Sequence, residues 1–417
     1  MAKTKNGKAR SGPIAALDIG TTKISCFIAA SGGGRIVGIG HQVSRGVRNG
    51  LIVDMGAAEA AIRATVEAAE QMAGETIREV VVNVSGASLT SRLIACEIAV
   101  AGHQIGDADL RRVLDPTGLC VDKPADHDLL HAIPIGYSID GNKGVHDPRG
   151  MYGERLGVNV HLLTAAGGAL RNLAATVERC HLDIDSFVVA PYASALSSLI
   201  DDETQLGVTL IDMGGGTTSV SVFFDGEMVH AGCIPIGGGH VTSDIARGLS
   251  TPLAQAERLK TLYGSALSSP SDDRELLAVP VIGDEAGGAQ NRIPRSMLIG
   301  IVRPRLEETF ELVRAHLEAT GFDKVSGRRV VLVGGASQLQ GAAEMAGQIL
   351  DKQVRLGRPR RVEGLAEAVS GPAFATCAGL LAFALKKPVE APSRAYRPSE
   401  EPSGRFGRIG QWIRENF

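Results

Sequence analysis

The sequence predicts an α/β protein built from two related halves. Its 417 residues exceed what one compact core usually holds, so at least two domains are expected. A near-repeat marks where each half begins. An apolar strand ending in aspartate, a Gly/Thr turn and a second strand occur at residues 14–28 and again at 208–224. The two aspartates, Asp18 and Asp212, lie about 200 positions apart, roughly one domain length.

The rest of the chain alternates between helix and strand patterns. Ala- and Glu-rich runs favour helix, and β-branched runs favour strand. A texture of short strands and many turns between 85 and 161 indicates an inserted module. The predicted elements, in order, are a helix at 57–72, a strand at 79–84, a helix near 107–114, strand-then-helix patterns at 162–180 and 186–200, helices at 241–249 and 251–263, a Gly/Ser/Asp-rich module at 268–293, a long helix at 304–319 and a buried strand at 330–333.

Composition and charge argue against several classes of protein. The net charge of −3 provides no broad basic field, so no nucleic-acid partner is expected. The six cysteines are scattered without metal-ligand spacing, which favours a reduced, cytoplasmic compartment. The N-terminus lacks the apolar run of a signal peptide. The longest apolar stretch, 373–385, falls short of the roughly 20 residues that a spanning helix needs, so we expect no segment to cross a membrane.

The two hairpins suit a nucleoside triphosphate with Mg²⁺. Small residues in a Gly/Thr turn let backbone N–H groups come close to phosphate oxygens. Asp18 and Asp212, expected at the ends of adjacent strands, would meet the metal, since Mg²⁺ uses one or two carboxylates and keeps several waters. The predicted phosphate contacts are Gly20, Thr21, Thr22 and Lys23 in the first hairpin and Gly214, Gly215, Gly216, Thr217 and Thr218 in the second.

Two further glycine turns extend this prediction. Gly238 and Gly239 precede a helix, and helix N-termini attract anions, so this turn could reach the phosphates or the ribose. Gly334, Gly335 and Ala336 follow a buried strand, where the absent side chains would admit a flat adenosine. Taken alone, either segment is an ordinary turn.

Taken in this order, the four elements resemble the ATP-binding signature of the superfamily of actin, heat-shock ATPases and sugar kinases. The resemblance implies an actin-like ATPase fold, with two ribonuclease-H-like α/β domains around a nucleotide cleft. In that pattern a helix with Ala-Glu-x-x-Lys contacts the adenosine, and the run 256–260 matches it. Glu257 and Lys260 are therefore carried over as cofactor-binding residues. A solvated helix pair is the alternative.

The inserted module narrows the resemblance. The runs 130–140, 147–153 and 158–162 are similar to the 1C subdomain of the FtsA family of bacterial cell-division proteins, and the likeness extends over about residues 13–417. It implies a defined organisation of the chain. The segments are a basic head at 1–11, subdomain 1A at 12–86 and 164–203, an SHS2-like subdomain 1C at 87–163, subdomain 2A at 204–240 and 315–385, subdomain 2B at 241–314, a flexible linker at 386–403 and an amphipathic membrane-targeting helix at 404–417.

The same resemblance implies the partners. The chain would polymerise into actin-like filaments and anchor filaments of the tubulin-like protein FtsZ to the cytoplasmic face of the inner membrane at the septum. Subdomain 1C would bind other division proteins, and subdomain 2B would bind the FtsZ C-terminal peptide. Arg295 and Arg305 match positions where FtsA proteins carry arginine, which pairs well with carboxylates. The alternative is that these arginines only form surface ion pairs with Glu307 and Glu308.

One position departs from the superfamily pattern. Related heat-shock ATPases carry Glu immediately before a proline, where it organises the metal and the attacking water. This chain has Ala190-Pro191. The missing general-base help, typically worth about 10²–10⁴-fold, predicts tight ATP binding and slow hydrolysis. Asp212 remains the candidate catalytic residue that orients a water.

The C-terminal residues form an amphipathic pattern. On a helix over 404–417, the apolar side chains cover one arc of about 140°. A helix of this length spans about 21 Å, so it would lie in the interface of an anionic membrane and not cross it. A helix docked on its own globular body is the alternative. The membrane-facing residues are Phe406, Ile409, Trp412, Ile413 and Phe417.

Other functions stay open at this point. A pilus-assembly ATPase of the PilM type shares the 1C likeness, but the terminal amphipathic helix argues against it. A metabolic sugar kinase would need a sugar-binding acid in the cleft, and the sequence shows no such constellation. A heat-shock chaperone would need a substrate-binding domain after about residue 385, where the sequence predicts a linker and a helix.

Overall fold

The computed structural model describes residues 12–386, except 31, 33, 87, 116–123, 284–289 and 361, and it also describes residue 390. The predicted basic head, most of the predicted linker and the predicted terminal helix lie outside these residues. The described strands are β1 (Ile14–Ile19), β2 (Lys23–Ala29), β3 (Ile36–Val43), β4 (Val47–Arg48), β5 (Leu51–Ile52), β6 (Glu79–Val84), β7 (Thr90–Ala99), β8 (His127–Ile139), β9 (Asn142–Val145), β10 (Arg155–Ala166), β11 (Asp183–Val189), β12 (Val208–Met213), β13 (Thr218–Phe224), β14 (Glu227–Ile234), β15 (Leu276–Pro280), β16 (Gln290–Pro294), β17 (Arg329–Val333) and β18 (Gln353–Leu356).

Helices connect and cover these strands. The described α-helices are α1 (Met55–Ala73), α2 (Asp107–Val113), α3 (Gly167–Glu178), α4 (Ala190–Ser198), α5 (Asp201–Leu206), α6 (Gly238–Gly248), α7 (Leu253–Tyr263), α8 (Arg295–Thr320), α9 (Ala342–Leu350) and α10 (Ala375–Lys386). Short 3-10 turns occur at Gly335–Gln338, Glu367–Val369 and Pro372–Phe374.

Each half of the molecule contains a five-stranded sheet of the same design. The strand order is β3-β2-β1-β6-β11 in the first half and β14-β13-β12-β17-β18 in the second. In each sheet three consecutive strands pair antiparallel, and two later strands add in parallel. This shared order confirms the predicted α/β fold class with two ribonuclease-H-like domains.

The inserted module is an antiparallel sheet in the order β7-β10-β8-β9. The prediction of short strands was wrong, since β7, β8 and β10 contain 10, 13 and 12 residues. The pairing of β10 with β8 shifts register between Asn159 and Val160 and between Leu163 and Thr164. Such bulges interrupt the alternation of apolar and polar residues, so one long strand resembles several short ones.

Two helices, α4 and α10, pack against each other between the halves. α4 contacts β11 of the first sheet and β12 and β13 of the second. Pro191 lies in its first turn, where the missing N–H removes no helical hydrogen bond. α10 packs on β1, β2 and β6. The predicted boundary places 375–385 in subdomain 2A, whereas this packing favours the first half.

The long helix α8 begins at Arg295, so the predicted start at residue 304 was wrong. Proline is favoured at the first position of a helix, which is why Pro304 looked like a start. Pro304 instead lies inside α8, where it removes one backbone hydrogen bond. Leu298 and Val302 are fully buried before it, so the apolar face of the helix continues across the proline.

Two residues of the flexible linker predicted at 386–403, Lys386 and Glu390, lie within the described part of the chain. Lys386 is still helical, and the Glu390 carboxylate lies 2.9 Å from Nδ1 of His131, a side chain that is 1% exposed. Nε2 of His131 accepts a hydrogen bond from the backbone N–H of Val189 at 3.1 Å. Nδ1 therefore carries the ring hydrogen and donates a hydrogen bond to Glu390. Glu390 therefore packs where the inserted sheet meets the first sheet.

Candidate nucleotide site

A cavity of about 600 Å³ lies between the two five-stranded sheets. Both hairpin turns line it, together with the start of α6, one face of α7 and the turn after β17. It brings together most of the predicted cofactor-binding residues: Asp18, Gly20, Thr21, Thr22, Lys23, Asp212, Gly214, Gly215, Thr217, Gly238, Gly239, Glu257, Lys260, Gly334, Gly335 and Ala336.

Two predicted contacts do not line the cavity. The Thr218 hydroxyl donates to the carbonyl of Ile236 at 2.7 Å, so it joins the second hairpin to the segment after β14. Gly216 lies against the first half, and a Cβ there would come within 2.8 Å of the Thr21 hydroxyl oxygen. Both residues therefore shape the turn.

Asp18 and Asp212 face the cavity from different sheets. Asp18 belongs to β1 and Asp212 to β12, so the prediction that their strands are adjacent was wrong. Each aspartate lies near the end of the first strand of its own half. The symmetry of the two halves, and not strand pairing, brings the two carboxylates to one cavity.

Burial dominates the electrostatics of these carboxylates. It raises the pKa of Asp18 to about 7, with Lys23 opposing the rise and Asp212 adding to it. Burial also raises the pKa of Asp212, although hydrogen bonds from Ser194 and Thr376 and the charge of Lys23 oppose it. Two carboxylates and one cation in a buried site favour binding of a further cation.

Lys23 is held by the segment that precedes α10. Its Nζ donates to the carbonyl of Ala373 at 2.7 Å and lies 3.2 Å from the centroid of the Phe374 ring. Burial lowers the pKa of Lys23, while the charge of Asp18 opposes this. The cation is thus fixed beside the carboxylates by a backbone acceptor and an aromatic face.

The glycine turn before α6 binds the second hairpin. The N–H groups of Gly238 and Gly239 donate to the carbonyls of Gly214 and Gly215 at 2.9 and 2.7 Å. These two amides fix the position of the hairpin turn, and both glycines also line the cavity. Contact of this turn with phosphates or ribose stays a prediction.

Glu257 and Lys260, which both line the cavity, form an ion pair. Lys260 Nζ lies 2.7 Å from Glu257 Oε2 and donates to the Gly238 carbonyl at 3.1 Å and to the Thr242 hydroxyl oxygen at 2.9 Å. The Thr242 hydroxyl in turn donates to Glu257. The pair therefore joins α7 to the start of α6, which goes beyond a solvated helix pair.

Sequence reasoning missed several residues of the site. Asn83 accepts the backbone N–H of Ile19 at 2.7 Å and fixes the end of β1. Ser194 and Thr376 donate to Asp212 at 2.6 and 3.1 Å. A signal existed for Thr376, since it is the only hydroxyl side chain in the apolar stretch 373–385.

Arg295 and Arg305 both have acidic partners within the chain. Arg295 lies 3.1 Å from Asp272, whose side chain is 3% exposed. Arg305 pairs with Asp244 and Glu308, and the hydrogen bond to Asp244 is the main cause that raises the pKa of Arg305. Both arginines lie on α8, and each forms ion pairs with a different set of acidic residues.

No helix within the described residues is long and apolar enough to span a membrane. The predicted anchor residues Phe406, Ile409, Trp412, Ile413 and Phe417 fall outside the described part of the chain.

Comparison with known proteins decides the family. The protein-family model described as "Cell division protein FtsA" matches residues 209–379. The family model described as "SHS2 domain inserted in FTSA" matches residues 86–164. The cell division protein FtsA of Agrobacterium fabrum is 44% identical over 98% of this chain and 96% of its own length. The chain belongs to the FtsA family of cell-division proteins. FtsA of Pseudomonas aeruginosa is 36% identical over the full length of both chains, and FtsA of Escherichia coli is 30% identical over 97% of this chain and 98% of its own.

Solved structures show the fold that this FtsA-family chain shares. The PilM-PilN type IV pilus biogenesis complex matches with a TM-score of 0.65 at 18% identity, covering 89% of this chain and 98% of that one. MreB5 of Spiroplasma citri bound to ADP matches with a TM-score of 0.55 at 13% identity, covering 89% and 96%. The MamK double helical filament matches with a TM-score of 0.54 at 13% identity, covering 91% and 100%. These matches confirm the predicted actin-like fold, and the FtsA relatives decide against the pilus-assembly alternative.

Proposed function

We propose that this FtsA-family chain binds Mg-ATP between its two halves, forms actin-like filaments and ties FtsZ filaments to the cytoplasmic face of the inner membrane. One observation carries the nucleotide part. Two glycine-containing turns, each following a strand that carries an aspartate, come from separate sheets and line one cavity. Lys23 and Lys260 line the same cavity. Cell division follows from the family.

The charges of the cavity fit a triphosphate only together with a cation. Asp18 and Asp212 would repel phosphate oxygens, because like charges in a buried site interact strongly. Mg²⁺ prefers carboxylate and water oxygens, and when bound it would neutralise part of the phosphate charge. Lys23 and the small-residue turns would bind the remaining oxygens. ATP binding should therefore depend on Mg²⁺.

The turn at residues 334–336, beside Asp212, is proposed to hold the adenosine. Gly334 has φ +85°, and a Cβ there would lie 2.4 Å from the carbonyl oxygen of Met213. Glycine is therefore required at this position of the turn. Glu257 and Lys260 line the same cavity and offer polar contacts for the sugar and base.

Hydrolysis should be slow. Ala190 lines the cavity at the position where related ATPases carry a glutamate. Its methyl group can neither accept a proton nor orient a water. Asp212 is the carboxylate left for orienting a water, and its hydrogen bonds from Ser194 and Thr376 already use one of its oxygens. We therefore propose that ATP acts chiefly as a ligand that sets the filament state.

Attachment to the membrane is proposed to use the helix at 404–417. One short amphipathic helix binds reversibly, and filament formation would strengthen attachment because linked anchors raise the effective concentration. Recruitment of FtsZ would then follow from binding its acidic C-terminal peptide at subdomain 2B.

Co-sedimentation with anionic liposomes tests the anchor. Trp412→Glu, or deletion of 404–417, should move the protein from the pellet to the supernatant, since a charge on the apolar face adds a desolvation cost. Gln411→Glu is the matched control, because it introduces the same charge on the predicted polar face. A truncated, monomeric protein that pellets as well as the full chain would contradict the anchor.

Fluorescence anisotropy with the FtsZ tail peptide tests the proposed dock. Arg305 also contacts Glu308, whose side chain is half exposed, so a peptide carboxylate could replace that partner. Arg305→Glu should weaken peptide binding about tenfold, and more at low salt. Arg303→Glu on the same helix controls for the charge change. Equal affinity of wild type and Arg305→Glu at low salt would remove Arg305 from the interface.

A further inference from the structure

We propose that Ser194 and Thr376 act as a hydroxyl clamp that positions the Asp212 carboxylate toward a metal–nucleotide complex. The term covers the two side-chain hydroxyls that donate to one oxygen of Asp212. The inference rests on the proposed ATP binding and assigns a positioning role to two residues outside the four glycine-rich elements of the sequence.

Both clamp residues bond the same oxygen. Ser194 Oγ donates to Asp212 Oδ2 at 2.6 Å, and Thr376 Oγ1 donates to it at 3.1 Å. The two hydroxyl oxygens lie 2.9 Å apart. Ser194 is fully buried behind Asp212, whereas Thr376 itself lines the cavity. Two donors on one oxygen fix the rotation of the carboxylate as well as its position.

The other oxygen of Asp212 lies toward the cavity wall at Gly334. A Cβ on Gly334 would come within 2.5 Å of Oδ1, so glycine at this position keeps the space beside that oxygen open. With Oδ2 held by the clamp, Oδ1 is the oxygen that remains for a bound cation or its water. The hydrogen bonds thus assign Oδ2 to the clamp and Oδ1 to the cation.

The clamp also favours the ionised form of Asp212. Hydroxyl donors stabilise a carboxylate and lower its pKa, against burial, which raises it. The other titratable groups at this site are Lys23 from β2, Asp18 from β1, Cys233 from β14 and Cys377 from α10. Lys23 favours the charge of Asp212. Without the clamp, burial would be opposed mainly by Lys23.

The clamp joins the two helices that cross between the halves. Ser194 lies on α4, which contacts both sheets, and Thr376 lies in the first turn of α10, which packs on the first sheet. Ser197 forms a second bridge between these helices, since its hydroxyl donates to the Ala375 carbonyl at 2.7 Å. Ser197 thus provides a bridge of the same kind with no bond to Asp212.

Binding of a fluorescent ATP analogue, titrated with Mg²⁺, tests the clamp on the full chain. Thr376→Val and Ser194→Ala should each weaken Mg-dependent binding about tenfold. The Mg²⁺ concentration needed for half-maximal binding should rise in both variants, because the carboxylate is no longer held toward the cation. Binding in EDTA should change little. Thr376→Ser keeps the hydroxyl and should restore both values.

Ser197→Ala is the matched control and should leave the affinity and the Mg²⁺ dependence of binding as in wild type. The clamp is overturned if wild type binds Mg-ATP and Thr376→Val shows the same affinity and Mg²⁺ dependence. It is also overturned if Ser197→Ala reproduces the full effect, since helix bridging alone would then explain it. A wild-type protein that shows no Mg-dependent binding would refute the proposed ATP site itself.

Discussion

After a shared first glycine, the turn that follows β1 continues with two threonines and a lysine, whereas the matching turn after β12 continues with two glycines and a threonine. The backbones agree, since Gly20 donates to the Lys23 carbonyl at 3.0 Å and Gly214 to that of Thr217 at 2.9 Å. The side chains are complementary. A Cβ on Gly215 would lie 2.3 Å from the methyl group of Thr22, so the side chain of one turn occupies the space that the other leaves. The repeat thus provides two fitted surfaces and not two copies of one site.

The two aspartates, like the two turns, occupy matching backbone positions and differ in their side-chain contacts. The pKa of Asp18 is raised to about 7, mainly by burial. Asp212 is equally enclosed, but two hydroxyl groups donate to it. Equivalent positions in the two halves therefore differ in what opposes burial: Lys23 acts on both carboxylates, and Asp212 alone also accepts the hydrogen bonds of Ser194 and Thr376.

The largest expected effect is the loss of either carboxylate. Asp18→Ala and Asp212→Ala should each weaken Mg-ATP binding about a hundredfold, since contacts to charged groups contribute about 1.5–3 kcal/mol each. Calorimetric titration measures this, with circular dichroism as the control for folding. If one variant binds as tightly as wild type, only one half contributes to the metal site and the comparison of the halves fails.

A smaller effect is expected where the turns touch. Gly215→Ala should weaken Mg-ATP binding about tenfold, because the added Cβ forces the two turns apart. Thr22→Ala in the same chain removes the methyl group that clashes and should recover part of the loss. The double-mutant cycle is read from the same titrations. Independent effects of the two substitutions would show that the turns are not in contact in solution.

The smallest effect concerns stability without nucleotide or metal. The pKa of Asp18 is raised from 3.8 to about 7 on folding, so the folded state keeps a proton that the unfolded state loses above pH 4. Stability should therefore fall as the pH rises from about 4 to 7. Asp18→Asn should remove this slope and raise Tm at pH 8 by a few degrees. Asp212→Asn should gain less, because the clamp favours its ionised form. Equal Tm–pH curves for wild type and Asp18→Asn would contradict the assignment.

The sequence was sufficient to predict the two hairpins and most of the turn residues that line the cavity. Those patterns are local, since strand, turn and strand follow one another within about 15 residues. The clamp was not predictable in this way. Ser194 and Thr376 are 182 positions apart, and only the crossing of α4 and α10 brings them together.

Other differences also have causes in the tertiary structure. Pro304 looked like a helix start because its missing N–H is tolerated there, yet tertiary burial of Leu298 and Val302 extends α8 through it. The composition of 386–403 is typical of a linker, and composition gives no sign that the Glu390 carboxylate lies 2.9 Å from Nδ1 of buried His131.

Hydrogen–deuterium exchange on the wild-type chain tests most directly whether one nucleotide is held by both halves. Addition of Mg-ATP should slow exchange of the backbone amides in residues 20–23 and 214–217 together, by a similar factor, with no change in the strands of the inserted sheet. Protection of one turn alone, or of neither, would contradict a single site formed between the two halves.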